Sequence, residues 1–105
     1  MDYTENIRRT KEYIAKHLLE DLTAEEIAAH AGYSTYHYCR IFKENTGKSL
    51  MRYVREKRLE AAEKDIKSGE STADVAQKCG FETTSGFSRA YKRKFGKRPT
   101  KKKNA

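Results

Sequence analysis

The chain writes one pattern twice. Residues 27–47 read IAAHAGYSTYHYCRIFKENTG, and residues 75–96 read VAQKCGFETTSGFSRAYKRKFG. Ala28, Gly32 and Tyr33 fall on Ala76, Gly80 and Phe81; after one extra residue, Tyr38, Arg40, Phe42, Lys43 and Gly47 fall on Phe87, Arg89, Tyr91, Lys92 and Gly96. Self-similarity at a fixed spacing marks one structural unit built twice. At 105 residues there is room for a single small domain, or for two very small lobes sharing an element.

The texture between and around the copies is helical. The only proline, Pro99, sits near the end, so nothing breaks the interior segments, and no stretch alternates with period 2. Ile7, Ile14 and Leu18, with Tyr3 and Tyr13 nearby, predict an amphipathic helix over 4–19. Thr23 and Glu26 form a capping-box pattern, with Leu22 and Ile27 as a hydrophobic staple, so a short helix covers 24–30 and stops at Gly32. Ser34 caps a second helix over 35–45 that ends at Gly47. A longer helix runs from Ser49 to Lys67; its apolar residues (Leu50, Tyr53, Val54, Leu59, Ala62, Ile66) spread round enough of the circumference to touch both neighbouring units. In the second copy Ser71 and Asp74 replace Thr23 and Glu26, a helix covers 72–78, Gly80 turns the chain, and a last helix covers 84–94. Gly86 costs that helix about 1 kcal/mol against alanine and should loosen its first turn. The expected organisation is an all-α chain: an N-terminal lobe (1–48), a linker helix (49–68), a C-terminal lobe (69–99) and a frayed basic tail (100–105).

Hydrophobic and charged residues each make up 36% of the chain. That suffices for small helical cores but not for a large enzyme with a deep cleft. No paired carboxylates, activated nucleophile or phosphate-cradling glycine loop stands out, so neither an enzyme nor a cofactor is expected. Cys39 and Cys79 show no CxxC spacing, and His17, His30 and His37 share no ligand cluster, so no metal site is expected. No apolar run reaches the roughly 20 residues of a membrane span and no secretory leader is evident, so the expectation is a cytosolic chain with reduced thiols; Cys79 is expected to pack, and Cys39 to be a small semi-buried side chain, with a redox sensor as its rival. The formal net charge of +8 implies a polyanionic partner, nucleic acid first and an anionic membrane surface second. From Ser85 onward there are nine Lys or Arg and no acid, whereas residues 1–26 hold seven of the fifteen acids. The alternative for Lys101, Lys102 and Lys103 is a solubilising tail.

Each copy carries what a helix-turn-helix needs. Ala28 and Ala76 are small where two helices cross, Gly32 and Gly80 tolerate positive φ four positions on, and Tyr38, Ile41 and Phe42 (Phe87, Ala90 and Tyr91) form an inner face on the second helix. The opposite face is then free for the major groove. It carries Thr35, Tyr36, His37, Cys39, Arg40 and Lys43 in the first copy, and Thr84, Ser85, Ser88, Arg89, Lys92 and Arg93 in the second. Arginine binds guanine O6 and N7 bidentately, serine and threonine bond several base edges or phosphate, and Tyr36 can pack on a thymine methyl or a sugar. Lys43, Lys92, Arg93 and Lys94 lie in the C-terminal halves, where phosphates are the nearer partners; Ser34, Thr35, His37 and Thr83 are also assigned to phosphates. The rival reading for Arg40 and Arg89 is an ion pair between lobes. A linker helix of about 18 residues spans roughly 27 Å, which would place the two reading helices about 34 Å apart, in successive major grooves of an asymmetric site.

The segments LTAEEIAAHAGYSTYHYCRIFKENTGKSLMRYVREKRLEAA and VAQKCGFETTSGFSRAYKRKFGKRP resemble the DNA-binding domain of the AraC/XylS family of bacterial transcription regulators, from about Tyr3 to Pro99. The resemblance implies seven helices in two helix-turn-helix lobes joined by a long helix, binding at double-stranded promoter DNA, and action as an activator. It implies that Tyr36, Cys39, Arg40, Thr84, Ser85, Ser88 and Arg89 approach bases. RNA polymerase is a further expected partner, and the chain is expected to be a monomer. After Pro99 the chain reads TKKK where the family often has an aromatic and then a basic residue. No sensor domain is encoded, so the chain is either a small stand-alone member or the DNA-binding part of a larger ligand-sensing regulator. The rival from another class is a basic protein that coats nucleic acid without sequence preference; an adaptor binding proteins through the same helices is a further one.

Overall fold

The structure, a computed structural model, describes residues 2–100. These form six α-helices and no strand: α1 Thr4–Lys16, α2 Ala24–Ala31, α3 Thr35–Thr46, α4 Leu50–Lys67, α5 Thr72–Lys78 and α6 Thr84–Phe95. The all-α architecture is as expected, with six helices among the described residues where the resemblance implied seven. The expected tail lies, apart from Thr100, outside the described residues.

The chain divides between Arg55 and Glu56 into two compact units, each with its own core. In the first, Ile7 and Ile14 of α1, Leu22, Ile27 and Ala28 around α2, Tyr38, Ile41 and Phe42 of α3, and Leu50 and Val54 of α4 are buried together. The second gathers Leu59, Ala62 and Ile66 of α4 with Val75, Ala76, Cys79, Phe87, Ala90 and Tyr91. Each large side chain buried in this way stabilises its unit by about 1.5–3 kcal/mol. The wide spread of apolar positions along α4 therefore reflects duty in two cores.

The repeat extends to individual hydrogen bonds. Tyr33 N–H donates to the Ala28 carbonyl at 3.0 Å and Gly32 N–H to Ala29 at 3.0 Å; Phe81 N–H donates to Ala76 at 3.1 Å and Gly80 N–H to Gln77 at 3.0 Å. This turn requires a left-handed residue, and Gly32 and Gly80 supply it with φ of 87° and 81°. The buried Ala28 and Ala76 leave room for the helix that follows. Ser34 then caps α3, and Thr83 caps α6. The extra residue of the second copy is Glu82, which lies exposed in the loop before that cap.

Local sequence signals fail in three places. The first helix ends at Lys16 rather than near residue 19. His17 leaves helical geometry at φ −115°, and Glu20 N–H returns to its carbonyl at 3.0 Å. Leu19 is left exposed, while Leu18 packs on the core. The capping box closes differently too: Glu26 N–H donates to Thr23 Oγ1 at 3.1 Å, but the Glu26 carboxylate takes the Thr23 hydroxyl rather than its N–H. Gly86 does not loosen α6. Its N–H donates to Thr83 Oγ1 at 3.0 Å, and a Cβ there would sit 3.1 Å from that same oxygen.

The two inner faces differ by one hydroxyl. Phe87 is wholly buried and apolar, whereas Tyr38 at the matching position brings a phenol into the first core. Its hydroxyl bonds Thr10 Oγ1, and Thr10 is the one buried polar residue there. Burial pushes the Tyr38 phenol above its ordinary range. Tyr38→Phe leaves the Thr10 hydroxyl unpaired and should lower stability by about 1–2 kcal/mol. Thr10→Val combined with Tyr38→Phe should recover most of that loss in urea melts, because both polar groups then leave the core. A double variant as unstable as the sum of the single ones would contradict this pairing.

Candidate nucleic-acid interface

In each unit the helix after the turn keeps its outer face in solvent because its inner face is fixed. Tyr33 stacks on Tyr38 with ring centroids 5.5 Å apart, and Phe81 meets Phe87 edge-on at 5.6 Å. Continuing along the helices, Phe42 and Tyr91 complete the buried rows. With those rows inside, geometry dictates what points out.

On α3, Tyr36 is 76% exposed, and His37, Arg40 and Lys43 are also exposed, while Thr35 and Cys39 are half-buried. Cys39 rests against the first core. The Ser34 hydroxyl oxygen accepts from His37 N–H at 3.3 Å, which leaves its proton free to donate outward. Arg40 pairs within its own helix: its Nη2 lies 3.4 Å from Oε1 of Glu44, one turn along. Glu44, then the Tyr36 hydroxyl, hold the guanidinium proton more firmly than usual. Glu44 was missed in reading the site from sequence, although its i,i+4 spacing from Arg40 was a usable signal. Both partners are largely exposed, so the pair is weak and exchangeable.

On α6, Thr84, Ser85, Ser88, Arg89 and Lys92 line one open groove together with Arg98. Five residues assigned from the sequence are thereby brought onto one surface, and Arg98 is an addition that the repeat did not signal. Thr83 Oγ1 is occupied as acceptor by the cap, but like Ser34 it keeps a proton to give. Arg89, Lys92 and Arg93 are exposed and make no ion pair among the described residues. Lys94, grouped with the phosphate residues on sequence, instead lies 3.7 Å from Glu60 and over the Phe95 ring.

Several charges elsewhere are matched. Arg8 bonds both Glu5 and Glu12, holding the Glu5 carboxyl down at about 2. Lys78 bridges Glu70 at 2.8 Å and Asp65 at 3.0 Å, which pushes its ammonium up to about 12. Cys79 is buried, donates to the Arg58 carbonyl at 3.5 Å, and has its thiol pushed up to about 11 by burial, so it serves packing. Among the described residues no His, Cys, Asp and Glu cluster suits a metal ion. No helix among them is long and apolar enough to cross a membrane.

A helix-turn-helix domain profile of AraC/XylS type matches residues 27–105. The chain belongs to the AraC/XylS family. It is 34% identical over 91 residues to the multiple antibiotic resistance protein MarA of Salmonella typhimurium, covering 86% of this chain and 72% of MarA. It is 32% identical over 100 residues to the right origin-binding protein of Escherichia coli, covering 94% of this chain and 35% of that protein. The AraC/XylS-type chain thus spans about a third of the length of this second relative. Its fold is similar to that of a transcriptional regulator with an AraC-type DNA-binding domain from Chromobacterium violaceum, with a TM-score of 0.85, 25% identity, and 91% and 87% of the two chains covered.

Within this family member, Glu44 is the one acid on the outer stripe of α3 that contacts a predicted reading residue. Glu44→Gln should tighten binding to duplex DNA about 1.5–5-fold at low salt, the scale of one exposed charge interaction, with the gain shrinking as salt rises. Fluorescence anisotropy across a salt series measures it; unchanged affinity at low salt would mean Glu44 stays clear of the DNA.

Proposed function

We propose that this AraC/XylS-type chain is a sequence-specific, double-stranded DNA-binding transcription regulator in which α3 and α6 each read a major groove. The supporting observation is the outer surface of α6, where three hydroxyls and three cations with no ion pair among the described residues line one groove. Unpaired cations supply counterion release and hence affinity, and hydroxyls and guanidinium at fixed helical spacing supply base readout. Tyr36, Cys39, Arg40, Thr84, Ser85, Ser88 and Arg89 are the base-facing set. Ser34, Thr35, His37, Lys43, Thr83, Lys92 and Arg93 are the phosphate-facing set, with the two cap hydroxyls donating from helix N-termini, where anions are favoured. The lobes extend over 1–48 and 69–99, joined through residues 49–68.

The two outer faces differ in sequence, so the site is asymmetric, and one chain carries both readers. We extend the proposal on family grounds to binding as a monomer at promoters, and to activation through contact with RNA polymerase.

Selection of bound duplexes from a pool randomised over about 20 base pairs, near physiological salt, tests this reading. The expected result is an asymmetric consensus with two different short blocks. Salt-sensitive binding with no enriched sequence would contradict it and favour a protein that coats DNA. On the selected site, Arg40→Ala and Arg89→Ala should each relax preference within one block, at about 1–3 kcal/mol of discrimination. Lys92→Ala should weaken matched and mismatched sites equally.

A further inference from the structure

Arg98 shares the α6 groove with Thr84, Ser85, Ser88, Arg89 and Lys92, yet it belongs to no helix. Three features hold it there. The helix ends at Phe95, with Gly96 N–H donating to the Lys92 carbonyl at 2.8 Å, so the chain leaves α6 by a closed turn. Pro99, the next residue, is buried, which ties the segment to the folded unit. A residue preceding proline is restricted to extended backbone, so the Arg98 stem leaves this segment with little backbone freedom. The side chain is exposed and makes no ion pair among the described residues.

The internal repeat shows that the position is not bound to be cationic. Gly47, Lys48 and Ser49 match Gly96, Lys97 and Arg98. In the first copy Ser49 Oγ accepts from Arg52 N–H at 3.3 Å and opens α4. The second copy spends the same position on a guanidinium aimed at the groove.

We propose that Arg98 is a DNA-contacting residue of the C-terminal lobe, binding a backbone phosphate at the rim of the groove that α6 enters. This rests on the DNA-binding reading given above. It lines the groove from a segment outside α6, whereas the base edges are read by residues of the recognition helix itself. A planar fork of donors suits a phosphate. Arg98 thus extends the lobe's phosphate grip past the recognition helix, using a segment that the first copy devotes to starting a helix.

The test is equilibrium binding of the full chain, and of its Arg98→Ser, Arg98→Ala and Arg98→Lys variants, to the selected duplex and to a scrambled one over a range of salt. Arg98→Ser and Arg98→Ala should weaken both duplexes by the same factor and reduce the slope of log affinity against log salt by about 0.9, the value of one phosphate. Arg98→Lys should retain most of the affinity and the full slope, since a point charge still meets a phosphate. Unchanged affinity and slope in Arg98→Ala, or a loss confined to the selected duplex, would overturn the assignment. The melting temperature of each variant separates contact from folding: a slope unchanged in a variant that melts like the parent also counts against it. A parent chain that binds neither duplex would instead overturn the DNA-binding reading as a whole.

Discussion

What each unit shows to solvent depends on the burial of a single aromatic row on its second helix. Tyr38 and Phe42 in one, and Phe87 and Tyr91 in the other, are inaccessible, and a helix so pinned has no freedom to rotate. The outer stripe follows at fixed angles from the inner one. The preceding turn keeps the pinned helix against its partner: a left-handed glycine and a buried alanine let α2 meet α3, and α5 meet α6, with the same hydrogen bonds in both copies. Preorganisation of this kind matters for recognition, because side chains on a rigid helix lose less freedom on binding than side chains on a loop.

On that common frame the two copies have diverged in charge. The α3 stripe combines Arg40 and Lys43 with Glu44, whereas the matching α6 stripe reads Arg89, Lys92 and Arg93, so Glu44 and Arg93 stand at equivalent positions with opposite sign. Arg40 is already partnered, but Arg89 is not. A guanidinium that must leave a carboxylate before it meets DNA gains less from any contact, matched or mismatched. A bare cation gains from any phosphate. The α6 stripe thereby carries the greater share of uncompensated positive charge.

Much of this was legible in the residues. The repeat, the caps at Thr23, Ser34 and Ser71, the turns at Gly32 and Gly80 and both aromatic rows rest on short-range rules, and short-range rules can be read along a chain. The failures each involve a partner that lies off the local pattern. The end of α1 was set by His17 and Glu20 closing a turn, which no periodicity foretells. Gly86 reads as a weakness along the chain, but its N–H caps onto Thr83 Oγ1 and a Cβ there would crowd that oxygen. Glu44 was hidden because charges on an exposed face look interchangeable until one is seen beside a reading residue. Arg98 was hidden because it follows the motif and its counterpart in the other copy is a serine. Lys94 looked available on a helical wheel, but Glu60 of α4 lies within its reach.

If burial of the aromatic rows selects which residues meet the bases, DNA should perturb the outer stripes and leave the rows in place. Titrating the isotopically labelled chain with its selected duplex, and following each residue by NMR, tests this most directly. The largest changes are expected at Tyr36, Arg40, Thr84, Ser85, Ser88 and Arg89, with the side chains of Tyr38, Phe42, Phe87 and Tyr91 almost unmoved. Large changes in those four rings, or perturbation centred on α1 and α5 with both outer stripes silent, would contradict it.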